Sequence, residues 1–333
     1  MWLDELRDLA YDLKDLLDEF STEELERKLM AEQNHYSSSI LEDAGRAFMS
    51  YTDCPSLTSL SSSGQLPEKL RTLIVTYNSK LESIAERFHN NLSLEYIHIS
   101  TCENLKSIPE GLHNLTSLRK YKILDCDSIV CFPPGGFPLT DLSVEIVRCK
   151  ELRSLPSSFH SLTSLQELDI WKCPSISSFP EEGFPTNLTR LLIKDNLRIY
   201  KSLARWGLHK FTSLTSLIIG GCPDAESFPQ EEIGMILPPS LVHLNIQDFK
   251  NLKYLCSQGF RNLTSLERLY ILYCPKLTSF PEQGLPSSLL QLYINSCPLL
   301  KEECKRDIGK EWSNISHIPY VQIDGKFIYE PNE

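Results

Sequence analysis

The side chains that could do chemistry begin with sulfur. Eleven cysteines occur in 333 residues, and eight of them (Cys54, Cys102, Cys126, Cys149, Cys173, Cys222, Cys274 and Cys297) share one recurring position. Asn78 and Asn196 take the same position where cysteine is missing, and only Cys131, Cys256 and Cys304 lie off it. No C-x-x-C pair occurs and the total is odd, which excludes a zinc knuckle or a disulfide framework as the first reading. A thiol or carboxamide at a fixed place after a strand can instead hydrogen-bond the backbone of the turn that follows. The eight histidines are scattered, with no H-x-x-x-H or H-E-x-x-H spacing, and no G-x-S-x-G opens a helix. Gly309-Lys310 and Gly325-Lys326 lack the phosphate loop G-x-x-x-x-G-K-[ST]. The acid pairs Glu181-Glu182 and Glu231-Glu232 fall between the recurring frames, where solvation explains them. Three of the five N-x-S/T sequons (Asn91, Asn114, Asn187, Asn262, Asn314) are the Asn-Leu-Thr of joints between frames. The expectation is no enzyme: no catalytic residue, no metal ligand and no cofactor-binding residue.

What remains is binding, and the frame itself says how. Leu165-Gln-Glu-Leu-Asp-Ile-Trp-Lys-Cys173 recurs as Leu214-Thr-Ser-Leu-Ile-Ile-Gly-Gly-Cys222 and Leu266-Glu-Arg-Leu-Tyr-Ile-Leu-Tyr-Cys274. The stretch Leu118 to Phe132 carries the same pattern. Leading positions fall at 70, 94, 118, 141, 165, 188, 214, 241, 266 and 289, with 23 to 27 residues between frames. That period and pattern resemble leucine-rich repeats, in which a short strand and a looser return segment alternate. The resemblance implies an α/β solenoid, a parallel-strand horseshoe whose repeats are stable only when stacked. Joints of Leu-Thr-Ser-Leu type (Leu115–Leu118, Leu162–Leu165) alternate with Gly/Pro-rich ones (Gly135-Gly-Phe-Pro138, Gly183-Phe-Pro185), a double period. Asp141 stands where a leucine is expected, Phe249 replaces the Asn/Cys, and insertions over 196–211 and 230–239 are expected to bulge from the convex side or the rim.

Alternation along each strand sends the apolar residues inward and the residues between them to the concave face. This nominates Tyr96, His98, Lys120, Lys122, Glu167, Asp169, Trp171, Arg190, Lys194, His243, Asn245, Arg268, Tyr270, Gln291 and Tyr293 as a protein-binding surface. Aromatic residues and arginine are the types that concentrate binding energy at interfaces.

The N-terminus is of another kind. Leu3, Leu6, Ala10, Leu13, Leu17 and Phe20 step by three and four, the seam of a bundle helix. Ser21-Thr-Glu-Glu24 reads as a capping box for a second helix to about Glu32. Residues 1–29 hold ten acids and four bases, so −6 of the formal −11 sits there. Trp2 to Phe20 closely resembles the coiled-coil domain of plant nucleotide-binding leucine-rich-repeat immune receptors (CC-NBS-LRR), and Tyr11 to Phe20 resembles their EDVID motif. The resemblance implies that Asp12, Asp15, Asp18 and Glu19 contact basic residues of the repeats, with Lys120, Lys122, Arg190 and Lys194 as candidates. Expected boundaries are a coiled-coil-like arm at 1–34, a polar linker at 35–48, repeats at 49–298 and a cap at 299–333. In the cap, Lys301 to about Glu311 reads as helix and His317 to Ile323 as strand.

The family's nucleotide switch, with its ADP/ATP site, has no counterpart between arm and repeats, so the resemblance is to a truncated form. The implied function is plant innate immunity by recognition of a pathogen effector or a guarded host protein, with the arm meeting coiled-coil domains of other receptors. The alternatives are a truncated adaptor, decoy or non-functional receptor fragment, and an extracellular receptor or inhibitor of the same repeat type. An F-box-type ubiquitin-ligase adaptor would also join N-terminal helices to repeats. The acidic balance argues against nucleic acid as partner. No apolar run is long enough for a membrane span, and no basic and apolar leader opens the sequence, so a cytoplasmic location is expected.

Overall fold

The Leu and Ile that end the Leu-x-x-Leu-x-Ile frame lie two apart and share one face of the strand, so that face has to be covered, and the return segments cover it. The computed structural model describes residues 39–43, 46–60, 66–89, 93–181 and 183–328. Its strands are β1 (Ser39–Asp43), β2 (Arg46–Thr52), β3 (Leu70–Thr76), β4 (Tyr96–Ser100), β5 (Lys120–Leu124), β6 (Leu142–Val147), β7 (Leu165–Trp171) and β8 (Arg190–Lys194). They continue as β9 (Ser216–Gly220), β10 (Ser227–Phe228), β11 (His243–Gln247), β12 (Tyr254–Leu255), β13 (Arg268–Leu272), β14 (Gln291–Asn295), β15 (Tyr320–Ile323) and β16 (Lys326–Phe327). Fourteen of them form one sheet in chain order, while β10 and β12 pair in a second layer. From β2 to β15 the pairing is parallel, and β16 closes the end antiparallel to β15. The class is α/β with a mostly parallel sheet.

Register converts the frame into continuous core rows. Ile99, Ile123, Ile146, Ile170, Ile193, Ile219, Ile246, Ile271 and Ile294 lie side by side across nine strands, each at most 2% exposed. β-branched side chains in contact across strands are favourable pairs in a pleated sheet. β2 to β9, β11, β13 and β14 each leave the sheet through a left-handed residue: Asp53, Tyr77, Thr101, Asp125, Arg148, Lys172, Asp195, Gly221, Asp248, Tyr273 and Ser296. Such a conformation is costly for residues other than glycine. It is imposed here by the ladder, because the same residue's N–H donates to the next rung, as in Tyr77 to the Ser100 carbonyl and Arg148 to the Trp171 carbonyl.

The residue after each of these turns is the Asn/Cys position. Cys102 donates its thiol to the carbonyls of Ser100 (3.3 Å) and Val75 (3.7 Å), and Cys173 and Cys297 repeat the arrangement one rung apart from their neighbours. All described cysteines are free. A hydrogen bond with the neighbouring Cys102 and burial hold the Cys126 thiol well above the ordinary thiol range, and a protonated, buried thiol is a poor nucleophile. Phe249 cannot make such bonds; it packs against Tyr200 and Phe228 instead.

The second layer is aromatic where the Gly/Pro-rich joints pass. Phe132, Phe137, Phe159, Phe184 and Trp206 follow one another with ring centroids 4.9 to 6.1 Å apart. Gly183 has φ +93°, and a Cβ there would stand 2.8 Å from the Trp206 ring, so the joint needs glycine. Tyr121 enters the same cluster from the sheet, 5.3 Å from Phe137, fully buried, and its hydroxyl has no hydrogen-bond partner among the described residues. A buried orphan hydroxyl costs about 1–3 kcal/mol. Tyr121→Phe is therefore expected to raise the unfolding free energy by roughly 1 kcal/mol. Unchanged or lower stability in urea unfolding would mean that the hydroxyl is satisfied.

Four local expectations change. The leading slot of the fourth frame is filled not by Asp141, which is exposed, but by Leu142 at 1% exposure, and the register shifts at Leu142/Ser143 to allow it. The insertion after Asn196 is a helix, Leu197–Trp206, whose Ile199, Tyr200, Leu203 and Trp206 are buried. In the cap, the helix runs over Pro298–Glu303, because proline suits the first helical position, and a separate turn of helix follows at Trp312–Ile315. β1 and the start of β2 occupy residues read above as polar linker.

Candidate protein interaction face

The face of the sheet opposite the core collects three rows. The first runs Tyr96, Lys120, Ser143, Glu167, Arg190, Ser216, His243, Arg268, Gln291, Tyr320. The second runs His98, Lys122, Glu145, Asp169, Leu192, Ile218, Asn245, Tyr270, Tyr293, Gln322. A third, at the strand ends, includes Trp171, Lys194, Gly220 and Gln247. Every nominated sheet residue thus falls on one face, from β4 to β14. Glu145, Leu192, Ile218 and Tyr320 belong to the same face and were not nominated. The broken frame at Asp141 hid Glu145, and apolar Leu192 and Ile218 read as core.

The rows divide by chemistry. At the β4–β8 end they are charged and internally paired. Lys122 Nζ is 2.7 Å from Glu145, Arg190 Nη2 is 3.3 Å from Asp169, and Ser143 donates to Glu167 at 2.8 Å. Lys194 Nζ meets Asp248 at 2.5 Å, so three of the four cations nominated to receive the acidic N-terminal segment already face a carboxylate. Asp12, Asp15, Asp18 and Glu19 lie outside the described residues. His98 is half-buried beside Tyr96, its ring 6.2 Å from the tyrosine ring. Burial first, then Lys122, lowers its pKa to about 4, so the imidazole is neutral at physiological pH.

Beyond β8 the second row turns apolar and then aromatic. Tyr270 and Tyr293 stack at 4.5 Å with planes 4° apart, Tyr320 tilts onto Tyr293 at 5.3 Å, and Phe327 closes the series edge-on at 4.8 Å. Tyr293 is only 6% exposed because its ring is sandwiched, and burial raises its phenol pKa. At the strand ends Trp171 is held by its indole N–H to Asp195 (3.1 Å) and is flanked by Lys172 at 4.6 Å and Lys194 at 4.8 Å from its ring centroid. Cations near a tryptophan face are attracted by the ring quadrupole. This arrangement offers rigid aromatic edges and fixed charges rather than a reaction centre. Among the described residues no group of three or more His, Cys, Asp or Glu could hold a metal ion, and no helix is long and apolar enough to cross a membrane.

Comparison with known families brings in the N-terminus. Residues 1–51 match the Rx N-terminal domain, a span short of half the chain that ends inside β2. That domain is the N-terminal one of Rx-type CC-NBS-LRR resistance proteins, and the match supports a chain related to them and an involvement in plant immunity. Curated proteins give no match.

Proposed function

We propose that the chain is a non-enzymatic recognition protein of plant innate immunity, a leucine-rich-repeat solenoid with a short helical N-terminal arm. In this reading it acts in the cytoplasm without a cofactor. It binds a pathogen effector or a guarded host protein on the open, concave face of the sheet, while the arm meets coiled-coil domains of other receptors. The observation that carries the reading is the joining of the charged rows of β4–β8 to the tyrosine stack of β13–β15 on one face of one sheet. Pre-stacked aromatics lose little side-chain freedom on binding, which is what a hot spot requires.

The test screens the full chain against a panel of effectors and their host targets, then measures the affinity of any partner found for open-face variants. Tyr270→Ala is expected to weaken that partner at least tenfold, about 1.4 kcal/mol. Tyr273→Ala, at a turn outside the rows and 52% exposed, should leave it unchanged. Equal affinities for both variants would remove the open face from the interaction.

A further inference from the structure

The rows that end each strand are interrupted at a single rung. Lys172, Asp195 and Asp248 hold the left-handed turn position of their rungs, and Gly221 holds it between the two aspartates. Gly220, before it, lies in register between Lys194 and Gln247. Neither glycine can be filled: a Cβ at 221 would stand 2.1 Å from Asp195 Oδ1, and one at 220 would stand 2.2 Å from the Gln247 carbonyl oxygen. Beside Gly221 lies a pocket of about 290 Å³, lined chiefly by Lys172, Lys194, Asp195, Gly221, Asp248 and Lys250.

The lining charges do not cancel. Lys194, its side chain 11% exposed, is pinned between Asp248 and the Trp171 ring. Asp195 accepts the Trp171 indole N–H. Both carboxylates are therefore engaged. Lys172 only rests on the Trp171 ring, and Lys250 has no ion pair among the described residues. Three ammonium groups against two carboxylates leave one positive charge over, in a chain whose formal charge is −11.

We infer that this pocket receives the carboxylate of an aspartate or glutamate side chain presented by a protein partner, held between Lys172 and Lys250. The inference rests on the reading of the open face as a recognition surface. The volume lies at the foot of the range for small-molecule sites, roughly 300–1,000 Å³, and suits one side chain better than a metabolite. A single negative charge matches the excess, whereas a phosphoryl dianion would also meet Asp195 and Asp248.

The experiment needs no knowledge of the partner. Lysines of the full chain are reductively ¹³C-methylated, which keeps their charge. The chain is then titrated with N-acetyl-Gly-Glu-Gly amide, its glutamine analogue and its phosphoserine analogue. The glutamate peptide is expected to give saturable shifts of the Lys172 and Lys250 methyl signals. Read at the methyl signal of Lys194, a lining lysine that both variants keep, its affinity should drop at least fivefold in Lys172→Gln, and saturation should vanish when Lys250→Gln is added. The absence of a saturable shift, or an equal response to the glutamine peptide, overturns the pocket; tighter binding of the phosphoserine peptide overturns the carboxylate. Either failure leaves the open-face reading standing, because that reading is tested at Tyr270, which does not line the pocket.

Discussion

Asn78→Ala is expected to cost roughly 3 kcal/mol of stability, and Asn78→Cys well under half of that. Asn78 is fully buried. Its Nδ2 donates to the carbonyls of Tyr51 (2.7 Å) and Thr76 (2.8 Å), and its Oδ1 accepts the N–H of Cys54 (2.9 Å). The Thr76 carbonyl keeps the Asp53 N–H (3.1 Å), but alanine removes the side-chain partner of the Tyr51 carbonyl and of the Cys54 N–H, and each such group costs about 1–3 kcal/mol when water cannot reach it. Solvent reaches the part-buried Cys54 rung, which keeps the sum at the lower end. Cysteine restores part of this set, since its one S–H can be shared between two carbonyls while its sulfur accepts, as the array shows elsewhere. Cys102 reaches the two equivalent carbonyls, and Cys297 Sγ accepts the Cys274 N–H at 3.4 Å, the counterpart of the Cys54 contact. Urea unfolding of the three proteins decides it. Equal losses for alanine and cysteine would mean that volume, not hydrogen bonding, fixes this position.

The same slot shows where the sequence could be read and where it could not. The Asn/Cys period, the isoleucine row and the face of every nominated sheet residue followed from alternation, because a strand has only two faces and one is buried. Asn196 was read as one more rung. Its Nδ2 does bond the Cys173 carbonyl, but its Oδ1 accepts the Ile199 N–H and caps a helix that ends at Gly207 with φ +81°. Asparagine before and glycine after an amphipathic ten-residue run is a legible helix signal; the stronger repeat signal masked it. Glu145 and Tyr320 were missed for a related reason. Register across strands is a property of pairs, and one frame shifted at Asp141 cannot show which residue its neighbour will oppose. The glycine notch at Gly220-Gly221 was written in the frame, yet its meaning depends on Lys172 and Lys250 arriving from rungs on either side. The lysines nominated from sequence for an acidic ligand turn out to be mostly paired, and the two that line the notch without an ion pair sit in turns that strand alternation does not address.

His98 carries the largest expected pH effect. In the unfolded chain its imidazole titrates near 6.5; in the fold the value falls to about 4, first through burial and then through Lys122, with Lys120 adding to it and Glu145 opposing. The sign follows from proton counts. Between these two values the unfolded chain binds a proton that the folded chain does not, so stability falls as pH drops from about 6.5 and stops falling below about 4. The whole interval corresponds to about 3 kcal/mol, an upper figure because part of the ring faces solvent. His98→Gln removes the titration and is expected to flatten this part of the curve while changing stability at neutral pH by less than about 1 kcal/mol. The informative quantity is the difference between the two proteins, since it cancels the acid response of Asp324 and Glu226, whose pKa values are lowered by Lys301 and Lys253 respectively. Parallel curves from pH 7 to 4.5 would refute the assignment, as would a His98 ring signal titrating near 6.5 by NMR. The consequence for recognition is specific. A neutral ring between Tyr96 and Lys122 gives the β4–β5 end of the open face one fewer cation than its composition suggests, so a partner there meets the Lys122–Glu145 pair and an uncharged imidazole rather than a basic cluster.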